Sequence, residues 1–124
     1  MKNEDGVKIV MAKFRIAVAT NGKKELDDTV SNVFGRAKTF TIIDVDNEKV
    51  ISIKVLENPA LSYSHGAGPI AIKTLIDDGV KIVIANDLGI GASEILANHK
   101  IKHVQARPGT NVKDAVDKAL NKMK

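Results

Sequence analysis

His65 is the residue of this chain best placed to do chemistry. It lies in Ser62-Tyr63-Ser64-His65-Gly66-Ala67-Gly68-Pro69, a glycine-rich stretch that runs straight into an expected helix. An imidazole there could bond a metal, and glycine lets the backbone come close to a ligand. The helix start adds unpaired N–H groups and the positive end of a dipole, which together favour an anion. Gly89-Ile90-Gly91 repeats this arrangement ahead of a second expected helix, and Arg107-Pro108-Gly109 sits in the loop before a third. Taken one at a time, such loops read as ordinary turns and helix caps.

The other histidines read structurally. His99 falls at a helix end, where an imidazolium suits the dipole, and His103 falls within a strand. The chain has no cysteine, which excludes disulfides, thiolate metal sites and a cysteine nucleophile. No G-x-x-x-x-G-K-[ST] phosphate loop and no G-x-S-x-G elbow occurs. Gly89-Ile90-Gly91-Ala92-Ser93-Glu94 begins like a dinucleotide fingerprint but lacks its third glycine.

Composition describes an ordinary folded domain. Of 124 residues, 44% are apolar and 27% charged, enough for one domain with one core. Phe14, Phe34, Phe40 and Tyr63 are the only aromatics, so the core is aliphatic and no stacking platform for single-stranded nucleic acid is expected. The net charge of +4 comes mainly from dispersed lysines, with a mild cluster at Lys118, Lys122 and Lys124. This reads as a solvated surface with at most a weak preference for anions. No apolar run nears the roughly 20 residues of a membrane span, and the first residues lack a signal-peptide core. The cytoplasm is the expected compartment. Residues 1–12 read as an N-terminal extension and 13–124 as the domain, with Met11 a second candidate start.

The elements that must position these residues follow from periodicity. Phe14–Thr20 reads as a buried strand ended by Asn21-Gly22. Phe40–Asp46 and Val50–Glu57 alternate around a polar turn and predict a β-hairpin. A helix is expected from Pro69 to Asp77, with proline first and Gly79 just past its end. Strand Val80–Ala85, helix Ala92–His99, strand Ile101–Ala106 and helix Val112–Met123 complete the order. The second half alternates strand and helix, which requires parallel strands with right-handed crossovers. The expected α/β fold is a mixed five-stranded sheet of order 3-2-1-4-5, with strand 2 antiparallel and helices flanking it. Its loops then gather Arg36, His65, Gly66, Gly68, Gly89, Gly91, Arg107 and Gly109 at one sheet edge, outside the strands' carboxyl ends.

That strand order resembles the ribonuclease H fold, so a cation-dependent nuclease is the enzymatic alternative. Its chemistry needs clustered carboxylates, one of them on the first strand. Phe14–Ala19 carries none, and Asp44, Asp87 and Asp114 do not form an evident cluster. No nuclease activity is expected.

The chain resembles the dinitrogenase iron-molybdenum cofactor biosynthesis family, the nitrogenase accessory-factor domains. The resemblance runs from about Phe14 to Leu120. It rests on Val30-Ser31-Asn32-Val33-Phe34-Gly35-Arg36-Ala37, Glu57-Asn58-Pro59, His65-Gly66-Ala67-Gly68, Gly79–Ala85 and Gly109-Thr110-Asn111-Val112. It implies a three-layer ribonuclease H-like fold without nuclease activity. It also implies a non-catalytic carrier of an iron–sulfur or iron–molybdenum–sulfur cluster or precursor, exchanged with donor and acceptor proteins. On this view Arg36, Arg107 and backbone N–H groups face the anionic cargo, His65 bonds its metal, and Ser31 and Asn58 shape the pocket. Without thiolate ligands, reversible carriage is expected rather than a built-in metal centre. Structural roles stand beside these. Arg36 could pair with Asp27 or Asp28, Asn58 could only cap a turn, and Phe34 reads as packing. The alternative function is a binding or regulatory module for a phosphate-bearing metabolite at the same glycine loops.

Overall fold

A computed structural model describes residues 13–122. The expected extension over residues 1–12 and the end of the last helix at Met123 lie outside the described residues. The strands are β1 (Lys13–Thr20), β2 (Thr39–Asp46), β3 (Lys49–Glu57), β4 (Ile82–Ala85) and β5 (Lys102–Gln105). The helices are α1 (Ala67–Asp77), α2 (Ile90–Asn98) and α3 (Val112–Lys122), with 3-10 turns at Glu25–Asp27 and Pro59–Ser62. The sheet order is β3-β2-β1-β4-β5, the order expected. β2 runs antiparallel to both neighbours, and the β1–β4 and β4–β5 pairs are parallel.

Both faces of the sheet are covered, which is why β1 and β4 read as continuous apolar runs. Ala17, Ala19, Phe40, Ile42, Val83 and Ala85 point to the face covered by α1 and α2. Ile16, Val18, Ile43, Val45, Ile82 and Ile84 point to the face covered by α3. The alanines of β1 and β4 make room for two helices and Phe34 on the first face. On the second face, Ala115 and Ala119 put the small residues on the helix instead.

Element ends differ from expectation in instructive ways. Helix α1 begins at Ala67, so Pro69 is its third residue rather than its first. Proline is accommodated there because the opening N–H groups of a helix have no intrahelical acceptor anyway. β4 starts two residues late, yet the Lys81 N–H still donates to the Arg15 carbonyl at 2.9 Å. The β2–β3 turn places Asn47 and Glu48 at φ 53° and 67°, the left-handed pair that matches a hairpin's twist.

Candidate functional site

Three sequence segments separated in the chain meet at the carboxyl ends of the strands. Gly35 packs against the first turn of α1 so tightly that a Cβ there would lie 2.8 Å from Gly68 N and 2.9 Å from its Cα. Asn58 is buried behind this contact. Its Nδ2 donates to the Gly35 and Ala37 carbonyls at 2.9 and 2.8 Å, and its Oδ1 accepts from the Ala60 N–H at 2.9 Å. One amide thus clamps the Phe34–Ala37 loop and caps the 3-10 turn. Phe34 is buried against Phe40 with ring centroids 5.4 Å apart. Arg36 is exposed, and its Nη2 donates to the Ser64 carbonyl at 3.1 Å. The pairing of Arg36 with Asp27 or Asp28 does not occur. Asp28 instead accepts from the Lys24 and Thr29 N–H groups at 2.9 and 2.8 Å.

Arg36 therefore braces the segment that presents His65, whose side chain is exposed. The next residue, Gly66, is the N-cap of α1 at φ 73°, a left-handed conformation suited to glycine. Gly89 caps α2 at φ 82° and ψ 163°, a region almost confined to glycine. Neither start has a side-chain cap. The N–H groups of Ala67 and Gly68 in α1, and of Ile90, Gly91 and Ala92 in α2, have no intrahelical acceptor. The two starts also abut. A Cβ on Gly91 would sit 3.9 Å from Pro69 Cγ, and one on Gly68 3.9 Å from Ala92 Cβ. Two positive dipole ends thus lie side by side, with Ile90 82% exposed at the rim.

Ser31, Arg107 and Gly109 form a separate group. The Val30 carbonyl accepts from the Gly109 N–H and the Val30 N–H donates to the Thr110 carbonyl, both at 2.8 Å. Ser31 is buried, and its Oγ accepts from the Val33 N–H at 3.2 Å. This segment splices the Arg107–Asn111 loop onto the end of β1 through bridges Thr20–Val30 and Thr29–Asn111. The Gly109 N–H is already committed within the fold. Arg107 lines a cavity of about 660 Å³ beside α3, together with Lys118 and Lys122.

Another cavity, of about 680 Å³, opens beside Asn58 and is lined by Lys23, Lys38, Glu57, Pro59, Leu61 and other residues. His65 is not among its lining residues. Sequence reasoning missed this concavity because its walls come from the ends of β1, β2 and β3, brought together only by strand pairing. Lys23 binds Glu57 at 2.7 Å and holds that carboxyl below its ordinary range. Among the described residues no group of three or more His, Asp or Glu side chains could hold a metal ion. Asp44 is engaged by Arg15 at the other sheet edge, Asp87 Oδ1 accepts from the Gly89 N–H at 3.2 Å, and Asp114 lies on α3. His103 meets the Ala85 carbonyl at 3.0 Å, and His99 is the C-cap of α2, as their sequence positions suggest.

The profile of the dinitrogenase iron-molybdenum cofactor family matches residues 12–122. The apo form of the orange protein from Desulfovibrio gigas is similar in structure, with a TM-score of 0.78 and 31% identity, covering 88% of each chain. A Thermotoga protein named as a putative NifB protein, of the DUF35 family, has a TM-score of 0.69 and 33% identity over 87% of this chain and 88% of its own. An uncharacterized protein of Methanocaldococcus jannaschii is 27% identical over 63 residues, 51% of this chain and 53% of its own. The match thus spans about half the length of that curated relative. Among the described residues no helix is long and apolar enough to cross a membrane.

Proposed function

This chain belongs to the dinitrogenase iron-molybdenum cofactor family, and from that premise we propose that it is a non-catalytic carrier of an anionic metal–sulfur cluster or its precursor. The observation that carries this reading is the pair of abutting, uncapped helix starts with exposed His65 beside them. A metal–sulfur cluster presents negative charge and sulfide acceptors. The open N–H groups of α1 and α2 supply donors fixed in direction, and two neighbouring dipole ends add positive potential. Arg36 adds a cation, and a neutral His65 imidazole supplies one metal bond. With no cysteine in the chain, the cargo is held by one side-chain ligand and many hydrogen bonds. Such a site releases its cargo readily, which suits transfer between donor and acceptor proteins. The domain assignment over residues 13–124 and the ribonuclease H-like description of the fold belong to the same proposal.

Anaerobic reconstitution with iron, sulfide and molybdate tests it. A coloured, stoichiometric complex is expected, and His65→Ala should weaken it at least tenfold. Unchanged affinity in that variant removes His65 as the ligand. Thermal stabilisation by phosphate compounds at the α1 and α2 starts, with no response to metal and sulfide, would favour the metabolite-binding reading instead.

A further inference from the structure

The groove between the end of β5 and α3 lies on the sheet face opposite α1 and α2. It is built from Gln105, Arg107, Thr110, Asp114, Lys118 and Lys122, among others, and measures about 660 Å³. That volume falls in the ordinary range for small-ligand sites. Arg107 reaches it from the loop after β5. Lys118 and Lys122 are four residues apart on α3, so both project from one stripe of the helix. None of these three cationic side chains makes a hydrogen bond or ion pair among the described residues. On another stripe of the same helix, Lys113 does find a partner, Asp117, at 3.2 Å. Asp114 lies one turn before Lys118 without an ion pair to it, and its single carboxylate offsets only part of the charge.

We propose that this groove is a second anion site, on the α3 side of the sheet, for a small ligand bearing linked phosphate-type groups. Three separated cations suit a ligand whose negative charge is extended along a chain. The Arg107 fork can take one phosphate in a bidentate fashion, while the lysines act as point charges on the next. Thr110 and Gln105 add neutral polar residues to the lining, although Gln105 Nε2 already donates to Asn86 Oδ1 at 3.5 Å. The lining has no aromatic side chain, so nothing in it stacks a nucleobase, and recognition is by charge. The Val30–Thr110 and Gly109–Val30 backbone hydrogen bonds, both 2.8 Å, hold the Arg107 loop in place.

Inorganic pyrophosphate, titrated into the full chain at constant ionic strength and followed by amide chemical shifts, is the probe. Saturable shifts centred on Gln105, Thr110, Ala115 and Lys118 are expected, with sulfate at the same ionic strength giving much smaller ones. The double variant Lys118→Gln/Lys122→Gln should weaken pyrophosphate roughly fivefold to tenfold while keeping the fold, because both lysines are exposed. It should leave metal–sulfur reconstitution unchanged, which separates this site from the cargo site. Shifts that never saturate, shifts confined to residues 66–68 and 89–92, or equal affinity in the double variant would overturn the proposal.

Discussion

The two edges of the sheet are held together by different chemistry. At the edge where β1 begins, charged side chains satisfy one another. Arg15 Nε meets Asp44 at 2.7 Å, its Nη1 meets the Asp78 carbonyl and carboxylate at 2.6 and 3.3 Å, and Lys54 joins Asp78 at 3.0 Å. These groups are part-exposed and mutually engaged, so little of their charge is left to act on anything else. At the opposite edge, around the start of α1, the structural contacts are made by a buried amide and glycine backbone. Arg36 gives one nitrogen to a carbonyl, and His65 and two helix starts stay open. Around the two helix starts the bracing comes from neutral groups, while the Lys23–Glu57 pair lies farther along the same edge, so the charges and dipoles beside His65 are left available.

The largest effect expected from breaking this contrast is at Asn58. Asn58→Ala leaves two carbonyls and one N–H without partners in a buried setting and should cost roughly 2–4 kcal/mol in urea denaturation. Asn58→Asp keeps the acceptor but loses both donations, so it should rescue little. Next comes Gly35→Ala, whose added methyl meets Gly68 backbone at 2.8 Å and should cost roughly 1–3 kcal/mol. Its amide shifts should spread to the first turns of both α1 and α2, because those turns abut. A stability equal to wild type with unperturbed α1 amides would show that the contact is looser than drawn.

The smallest effect belongs to the charged edge and is confined to acid. Arg15, mainly by its hydrogen bond, holds the Asp44 carboxyl below its ordinary value of 3.8. The ionised form is thus favoured in the folded state. The stabilisation is complete above the unfolded value and is lost as pH falls through the folded one. Asp44→Asn should therefore lower the urea midpoint modestly near neutrality, with the gap to wild type closing as pH drops below about 3.8. A gap independent of pH in that range would show that Asp44 acts by shape rather than charge.

Much of this was legible beforehand. The alternation in Phe40–Asp46 and Val50–Glu57, and the apolar runs of β1 and β4, lead to the observed strands because each run allows one burial pattern, and the supposed order 3-2-1-4-5 is the one observed. His65-Gly66 and Gly89 stood out because their residue types match helix starts and positive φ. The division of the site did not stand out. Ser31, Arg107 and Gly109 belong to the β1–α3 splice, since the Val30 segment pairs with the loop after β5. That bridge joins residues some eighty positions apart and has no local signature.

The sequence by itself determined the element order, the pattern each strand buries and the candidate residues for an anion, because these depend on periodicity, turn chemistry and side-chain type. Only the tertiary structure decided which of them act together. Gly35 meets Gly68, one Asn58 amide joins two loops, the α1 and α2 starts abut, and Arg107 shares its groove with Lys118 and Lys122 rather than lining the cavity beside Asn58. Such contacts arise from packing between distant segments, and spacing along the chain carries no record of them.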